Sequence, residues 1–179
     1  MRVRYAMAVD TVRCMGCGAC VVACKTENGL PEGVDRTWIA QELRGRFPTL
    51  SMEVRSERCN QCDAAPCVGA CPTGASFVAE GGIVAVDASK CTGCKACVAA
   101  CAYGARAVHP DGHVDKCTFC LHRVRAGRLP ACVENCPARA LTFGDVNDPR
   151  SDISRLLASR KHRVLRPELG ARPHVFFLE

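Results

Sequence analysis

The residues best suited to chemistry are sixteen cysteines, which fall into four groups of four. A thiolate sulfur is a soft ligand for iron, zinc and copper. In every group the first two cysteines are separated by two residues and the last two by three. The groups are Cys14, Cys17, Cys20 and Cys24; Cys59, Cys62, Cys67 and Cys71; Cys91, Cys94, Cys97 and Cys101; and Cys117, Cys120, Cys132 and Cys136.

This spacing is typical of ligands for 4Fe–4S clusters. A tight loop with a cysteine at every third residue wraps three irons and turns its backbone N–H groups towards the sulfides. The fourth cysteine lies about one helical turn further on and binds a second cluster, so that such groups work in pairs. The spacing therefore predicts four 4Fe–4S clusters, and these use every cysteine.

Two other uses of cysteine fit the sequence less well. A disulfide scaffold needs Cα atoms about 5.5 Å apart, which a run of cysteines at every third residue rarely supplies. Structural zinc uses isolated pairs, so the third cysteine of the first and third groups would be superfluous. Because no ligand is missing, the clusters are expected to be saturated and to carry electrons, and no catalytic residue is predicted.

The elements that position these groups are short strands and helices. Apolar alternation and turn residues predict strands that lead into the groups and strands that return from them. The leading strands are Val3–Asp10, Ser51–Arg55, Ile83–Asp87 and Gly112–Asp115; the returning strands are Ala75–Ala79, Ala105–His109 and Ala140–Gly144. Short helices are expected at Val21–Lys25 and Val98–Cys101.

The first group has no returning strand, and this bears on how the groups pair. The second and third groups form a complete unit, which would leave the first group to pair with the fourth. A hairpin also joins the third group to the fourth, so spacing alone leaves open a pairing of one with two and three with four.

A cation directly precedes each group: Arg13, Arg58, Lys90 and Lys116. A positive charge beside an anionic cluster favours the reduced form and raises the reduction potential. The alternative is that these are surface residues at strand ends.

The composition argues against several other classes of protein. No apolar run reaches the roughly 18 residues of a membrane span, and the N-terminus shows neither an apolar signal core nor a twin-arginine pair. Aromatic residues do not interleave with the cations, which argues against nucleic-acid binding. The net charge of +6 is offset by four clusters that carry about −2 each with their thiolates.

Several stretches together resemble a known family. They are Ala8-Val9-Asp10 ahead of Cys14-Met15-Gly16-Cys17, then Cys62-Asp63-Ala64-Ala65-Pro66-Cys67, and Pro130-Ala131-Cys132-Val133-Glu134-Asn135-Cys136-Pro137. They resemble the four-cluster iron–sulfur (B) subunits of dimethyl-sulfoxide-reductase-family molybdenum oxidoreductase complexes, above all those of the polysulfide and thiosulfate reductases. One departure is Ala102, where proline usually follows the cysteine.

The resemblance implies a nested α+β fold of two ferredoxin-like units, each binding two 4Fe–4S clusters. The outer unit would comprise residues 1–50 and 110–145, the inserted unit residues 51–109, and an extended partner-docking tail residues 146–179. Deleting the tail would then leave the cluster content intact. The implied ligand sets are Cys14, Cys17, Cys20 and Cys136 (set one); Cys24, Cys117, Cys120 and Cys132 (set two); Cys59, Cys62, Cys67 and Cys101 (set three); and Cys71, Cys91, Cys94 and Cys97 (set four).

The resemblance also implies partners. A catalytic subunit would carry a molybdenum or tungsten bis-pterin-guanine-dinucleotide cofactor, and an integral-membrane subunit would react with quinone or quinol. This chain would relay single electrons between them without being an enzyme itself. It would be attached to the membrane through its partners, with the outward (periplasmic) face preferred. The alternative is a soluble polyferredoxin or hydrogenase-type relay that serves a cytoplasmic enzyme.

Overall fold

The computed structural model describes residues 2–179. The strands are β1 Tyr5–Asp10, β2 Thr37–Arg46, β3 Thr49–Arg58, β4 Ser76–Val78, β5 Val84–Val86, β6 Ala107–Val108, β7 Val114–Asp115, β8 Leu141–Asp145, β9 His162–Arg163 and β10 Val175–Leu178. The helices are α1 Ala19–Asn28, α2 Pro66–Gly69, α3 Ala96–Ala99, α4 Leu121–Arg125, α5 Ala131–Glu134 and α6 Asp152–Ser159, with 3₁₀ helices at Glu80–Gly82, Ala88–Lys90 and Pro167–Leu169.

A four-stranded sheet in the order β8-β1-β10-β9 joins the two ends of the chain. Strand β1 is antiparallel to β8 and parallel to β10. Both faces of β1 are covered, because Met7 and Val9 pack in the core that contains the cysteines while Ala6 and Ala8 pack with Ile153 of α6. An apolar strand with no polar alternation suits such a doubly covered position.

The other strands form three separate hairpins: β2–β3, β4–β5 and β6–β7. The sequence prediction is confirmed for the leading strands, observed as β1, β3, β5 and β7, and for the returning strands β4, β6 and β8. Strand β2 was not expected. It pairs with β3 along its whole length, from Thr37 opposite Arg58 to Arg46 opposite Thr49. The boundary expected at residue 51 therefore falls inside a strand.

Residues 146–179 differ from the extended tail that was expected. Helix α6 packs beneath the sheet through Ile153, and β10 is an inner strand between β1 and β9. Val175, Phe177 and Leu178 are fully buried. There is a physical reason for this difference. Without β10, the backbone groups along one edge of β1 would lack partners, and without α6 the side chains of Ala6 and Ala8 would be exposed.

The two predicted helices are present with shifted bounds. The helix expected at Val21–Lys25 is α1, which lies between Gly18 and Gly29, and both of these glycines are in the left-handed region. The helix expected at Val98–Cys101 is the single turn α3. Each follows the second cysteine of its group and carries the third.

Candidate iron–sulfur sites

All four cysteine groups share one local conformation, although their sequences differ. The residue just before the second cysteine has a positive φ in each group, and these residues are Gly16, Gln61, Gly93 and Phe119. A left-handed residue within a turn lets successive backbone N–H groups converge on one point, which forms an anion-binding concavity. The loops are therefore shaped for a cluster with negatively charged sulfides.

Two of these positions, Gln61 and Phe119, are not glycine, and a residue with a side chain is strained at a positive φ. Hydrogen bonds to neighbouring segments hold Gln61 in this conformation. The Gln61 side chain donates from Nε2 to the Cys117 carbonyl at 2.7 Å and accepts from the Val84 N–H at 2.8 Å. These hydrogen bonds connect the loop of the second group to the loop of the fourth group and to β5.

Set one surrounds a small cavity that is partly open to the surface. Cys14, Cys17, Cys20 and Cys136 all line it, although Cys136 is far away in sequence. Ser56 of β3 lines the same cavity, and its Oγ lies 3.2 Å from the Cys20 sulfur. The structure thus brings the four cysteines of this set around one space.

Set two lies where α1 packs against α5. Burial raises the pKa of Cys24, and the nearby sulfurs of Cys117, Cys132 and Cys120 raise it further. Burial likewise raises the pKa of Cys117 to about 12. Metal ligands must be deprotonated, so the raised pKa values of Cys24 and Cys117 are consistent with thiols that lose their protons when a metal binds.

Set three surrounds a second small cavity. Cys59, Cys62, Cys67 and Cys101 line it. Burial raises the pKa of Cys62 to about 12, with added repulsion from Cys59 and Cys67. Two cavities that are each lined by four cysteines suit two copies of one ligand.

For set four, the packing of the segments that carry the cysteines indicates that the cysteines lie near one another. Cys91 and Cys97 pack together with Val84 and Val114. Cys71 directly follows the segment that contains α2, and α2 packs against α3, which carries Cys97.

Backbone N–H groups point at cysteine sulfurs in several loops. Ser76 donates to Cys71 at 3.4 Å, and Val114 donates to Cys91 at 3.4 Å. Similar bonds reach Cys117 from Phe119 and Cys136 from Ala140. Hydrogen bonds to the sulfurs are among the main ways in which a protein tunes cluster potentials.

The four cations that precede the groups separate into two kinds. The side chains of Arg13 and Lys90 are 64% and 65% exposed, and each pairs with an aspartate. Arg58 and Lys116 are 1% and 2% exposed. The surface interpretation thus fits the first two, whereas the second two lie beside cysteines.

Another buried cation, Arg106, lines the set three cavity and was not predicted. It does not adjoin a cysteine, so the spacing gave no signal for it. Its position directly before the returning strand β6 is the one clue that the sequence offers.

The donor atoms of these arginines test whether the sites suit iron–sulfur clusters. The Nε atom of Arg58 and the Nε and Nη1 atoms of Arg106 are buried and have no hydrogen-bond partner. Such donors are costly unless an acceptor is nearby. Cluster sulfides would supply that acceptor, and all sixteen cysteines are free thiols rather than disulfides. The residues therefore fit the clusters.

Comparison with known families agrees with this geometry. One model of a 4Fe–4S dicluster domain matches residues 50–146, and a second model with the same description matches residues 13–75. Two dicluster domains and sixteen cysteines correspond to four 4Fe–4S clusters. The fold and its sites thus define an iron–sulfur protein with four clusters.

Similar proteins of known function identify the kind of iron–sulfur protein more closely. The chain is 47% identical to the tetrathionate reductase B subunit of Salmonella typhimurium, over 99% of this chain and 73% of the relative. It is 47% identical to protein NrfC of Escherichia coli (97% and 80%), and 45% identical to the polysulfide reductase B subunit of Wolinella succinogenes (99% and 95%). This protein belongs to the family of iron–sulfur B subunits of reductase complexes. It is an electron-transfer subunit and not a catalytic one.

Among residues 2–179, no helix is both long and apolar enough to cross a membrane.

Proposed function

We propose that this chain relays single electrons between two partner subunits. One is a catalytic subunit with a molybdenum or tungsten bis-pterin-guanine-dinucleotide cofactor, and the other is an integral-membrane subunit that reacts with quinone or quinol. The observation that carries the proposal is the convergence of cysteines from distant parts of the chain around separate spaces. When bound, each cluster supplies a one-electron couple.

The proposed ligands are the four sets defined above, in the nested arrangement. The cavity shared by Cys14, Cys17, Cys20 and Cys136 supports nesting, because the alternative pairing would bring Cys71 to that place. The electrostatic proximity of Cys24 to the sulfurs of the fourth group supports it independently.

Burial supports an order for the relay. Cys17 of set one and Cys94 of set four are the exposed cysteines, whereas the members of sets two and three are buried except for half-buried Cys101. Sets one and four are therefore proposed as the ends that exchange electrons with partners. Sets two and three conduct between them.

The ligand sets are tested with serine variants in the purified complex. Cys17→Ser and Cys94→Ser provide reference EPR changes for sets one and four. We expect Cys136→Ser to reproduce the change caused by Cys17→Ser. If it instead reproduces the change caused by Cys94→Ser, the groups pair as one with two and three with four, and nesting is wrong.

The partners are tested by isolating the chain from its native host under mild detergent. We expect a catalytic chain and a membrane chain to co-purify, with molybdenum or tungsten present and with iron and acid-labile sulfide at four of each per cluster. Isolation of the iron-loaded chain without either partner would favour the alternative, a soluble polyferredoxin or hydrogenase-type relay.

The location follows from the partners. A chain held by a membrane subunit would be peripheral, and we propose the outward (periplasmic) face. Protease treatment of intact spheroplasts tests this proposal: digestion of the chain supports the outward face, and digestion only after lysis places it inside.

A further inference from the structure

Among the buried cations that the structure describes, three have no carboxylate partner, whereas a fourth, Arg123, pairs with Glu27 and Glu134. Arg58 and Lys116 are almost inaccessible, and Arg106 is 6% exposed. Within residues 2–179, their contacts are with sulfur, hydroxyl and carbonyl groups, and none of them pairs with a carboxylate. An unpaired buried charge is unfavourable, so each of them requires an anionic neighbour.

Arg58 lies between the cysteines of sets one and two. Its Nη1 donates to the Cys132 sulfur at 3.3 Å, and its Nη2 donates to the Ser56 hydroxyl, which lies 3.2 Å from the Cys20 sulfur. Burial acts to lower the pKa of Arg58, but the sulfurs of Cys132, in set two, and Cys20, in set one, contribute to raising it. The guanidinium thus interacts with both sets at once.

Lys116 lies between sets two and three. Its Nζ donates to the carbonyl of Cys117, of set two, at 2.7 Å and to the carbonyl of Val84. Val84 lines the cavity of set three, and the Lys116 charge reaches Cys67 of that set.

Arg106 lies between sets three and four. It lines the set three cavity, and its Nη2 donates to the Ser76 hydroxyl at 2.6 Å. Its charge interacts with Cys67 of set three and with Cys97 of set four. These two cysteines belong to one apolar cluster, so the arginine lies where the two sets approach each other.

We propose that Arg58, Lys116 and Arg106 are electrostatic spacers, each held between two consecutive clusters of the relay. Each one raises the reduction potential of both neighbouring clusters, and this attraction offsets the repulsion between the clusters when both are reduced. Neighbouring clusters can then hold electrons at the same time. The proposal rests on the ligand sets of the proposed function and adds a role for residues that bind no iron.

The physical basis is the long range of a buried charge. At an effective dielectric constant of about 20, removing a unit charge about 10 Å away changes a reduction equilibrium by roughly tenfold. An exposed cation acts through water and is screened by salt, so its effect is much smaller. Each spacer is therefore expected to affect two clusters strongly and the far end of the relay weakly.

The test is a redox titration of the intact complex, followed by EPR with the signals assigned from the cysteine variants. We expect Arg58→Gln to lower the reduction equilibrium constants of sets one and two by about tenfold and to leave set four unchanged. Arg58→Lys keeps the positive charge, so the reduction potentials of sets one and two should stay close to those of the unchanged protein. Arg13→Gln and Lys90→Gln remove exposed cations and should leave all four potentials unchanged.

Arg106→Gln is expected to give the opposite pattern: the reduction potentials of sets three and four fall, and that of set one is unchanged. This variant tests the proposal if Arg58→Gln does not assemble. The proposal is overturned if the glutamine variants show all four EPR signals at unchanged potentials, or if all four potentials shift equally. It is also overturned if the potentials of sets one and two are as low in Arg58→Lys as in Arg58→Gln. A failure of the ligand sets would be distinct, because it would appear in the cysteine variants and not in these titrations.

Discussion

Phe177→Ala tests whether the C-terminal segment belongs to the folded core. Phe177 lies on the inner strand β10 and packs in the same buried cluster as Cys20, Cys59 and Cys117. The guanidinium of Arg163 lies 5.8 Å from the centre of its ring, and that of Arg55 lies at 6.0 Å. Removing the ring would therefore leave a cavity beside the residues proposed to hold clusters.

The size of the effect follows from these contacts. Truncating a buried phenylalanine to alanine costs about 3–5 kcal/mol, through lost transfer free energy and the cavity that remains. Each cation–π contact adds about 0.5–1 kcal/mol where it is partly exposed. A domain is stable by about 5–15 kcal/mol in total. We therefore expect the variant to lose about 4 kcal/mol, a large share of the free energy of unfolding.

The assay is the rate at which the visible absorption of the clusters disappears in guanidinium chloride, because cluster loss on unfolding is irreversible. We expect Phe177→Ala to lose its clusters at least about tenfold faster than the unchanged protein. Phe47→Ala is the matched control: the same atoms are removed at the tip of the β2–β3 hairpin, where the side chain is 88% exposed. Equal rates for the two variants would refute the argument and would favour the extended docking tail that the sequence suggested.

Two further predictions concern the turn of the third group and the response to acid. Gly93→Ala places a methyl group against the backbone carbonyl of Gly112 at a φ of +68°, so we expect loss of the set four EPR signal; Gly127→Ala, at a φ of +70° with open space around it, should retain all four signals, and equal retention in both variants would contradict the steric argument. His174 accepts a hydrogen bond from Arg4 Nε at 3.1 Å, and burial first, then the Arg4 charge, lowers the pKa of His174 to about 4. It is neutral when folded but takes up a proton on unfolding below about pH 6.5, so stability is lost as the pH falls from 6.5 towards 4. His174→Gln should make the rate of cluster loss less steep over that range, and an unchanged pH profile would show that another group is responsible.

Local patterns in the sequence predicted the parts of the fold that local interactions determine. The hairpin β4–β5 follows from apolar strands around Glu80-Gly81-Gly82, and the cysteine loops follow from their spacing. Strand β10 could not be predicted in the same way, because its partner β1 lies at the other end of the chain and nothing in the sequence specifies their register. Strand β2 was missed because its outer half, up to Arg46, is exposed and rich in charge.

The proposed sites show the same division. The identity of the ligands follows from cysteine spacing, which a cluster dictates directly. Burial of a cation depends instead on tertiary packing, so the identical position before a group yields an exposed Lys90 and a buried Lys116. Arg106 and Ser56 adjoin no cysteine in sequence and approach the sulfurs only through the packing of strands.

The position of the charges matters more for the relay than their sum. The apoprotein carries +6, and four oxidised clusters at about −2 each with their thiolates bring the net charge to about −2. That sum treats all cations alike, yet surface cations such as Arg13 and Lys90 are already paired with aspartates and screened by solvent. Such pairs contribute little at a distance. The charge that compensates the clusters is therefore local, and it is concentrated in the few cations that the fold removes from water and leaves without a carboxylate.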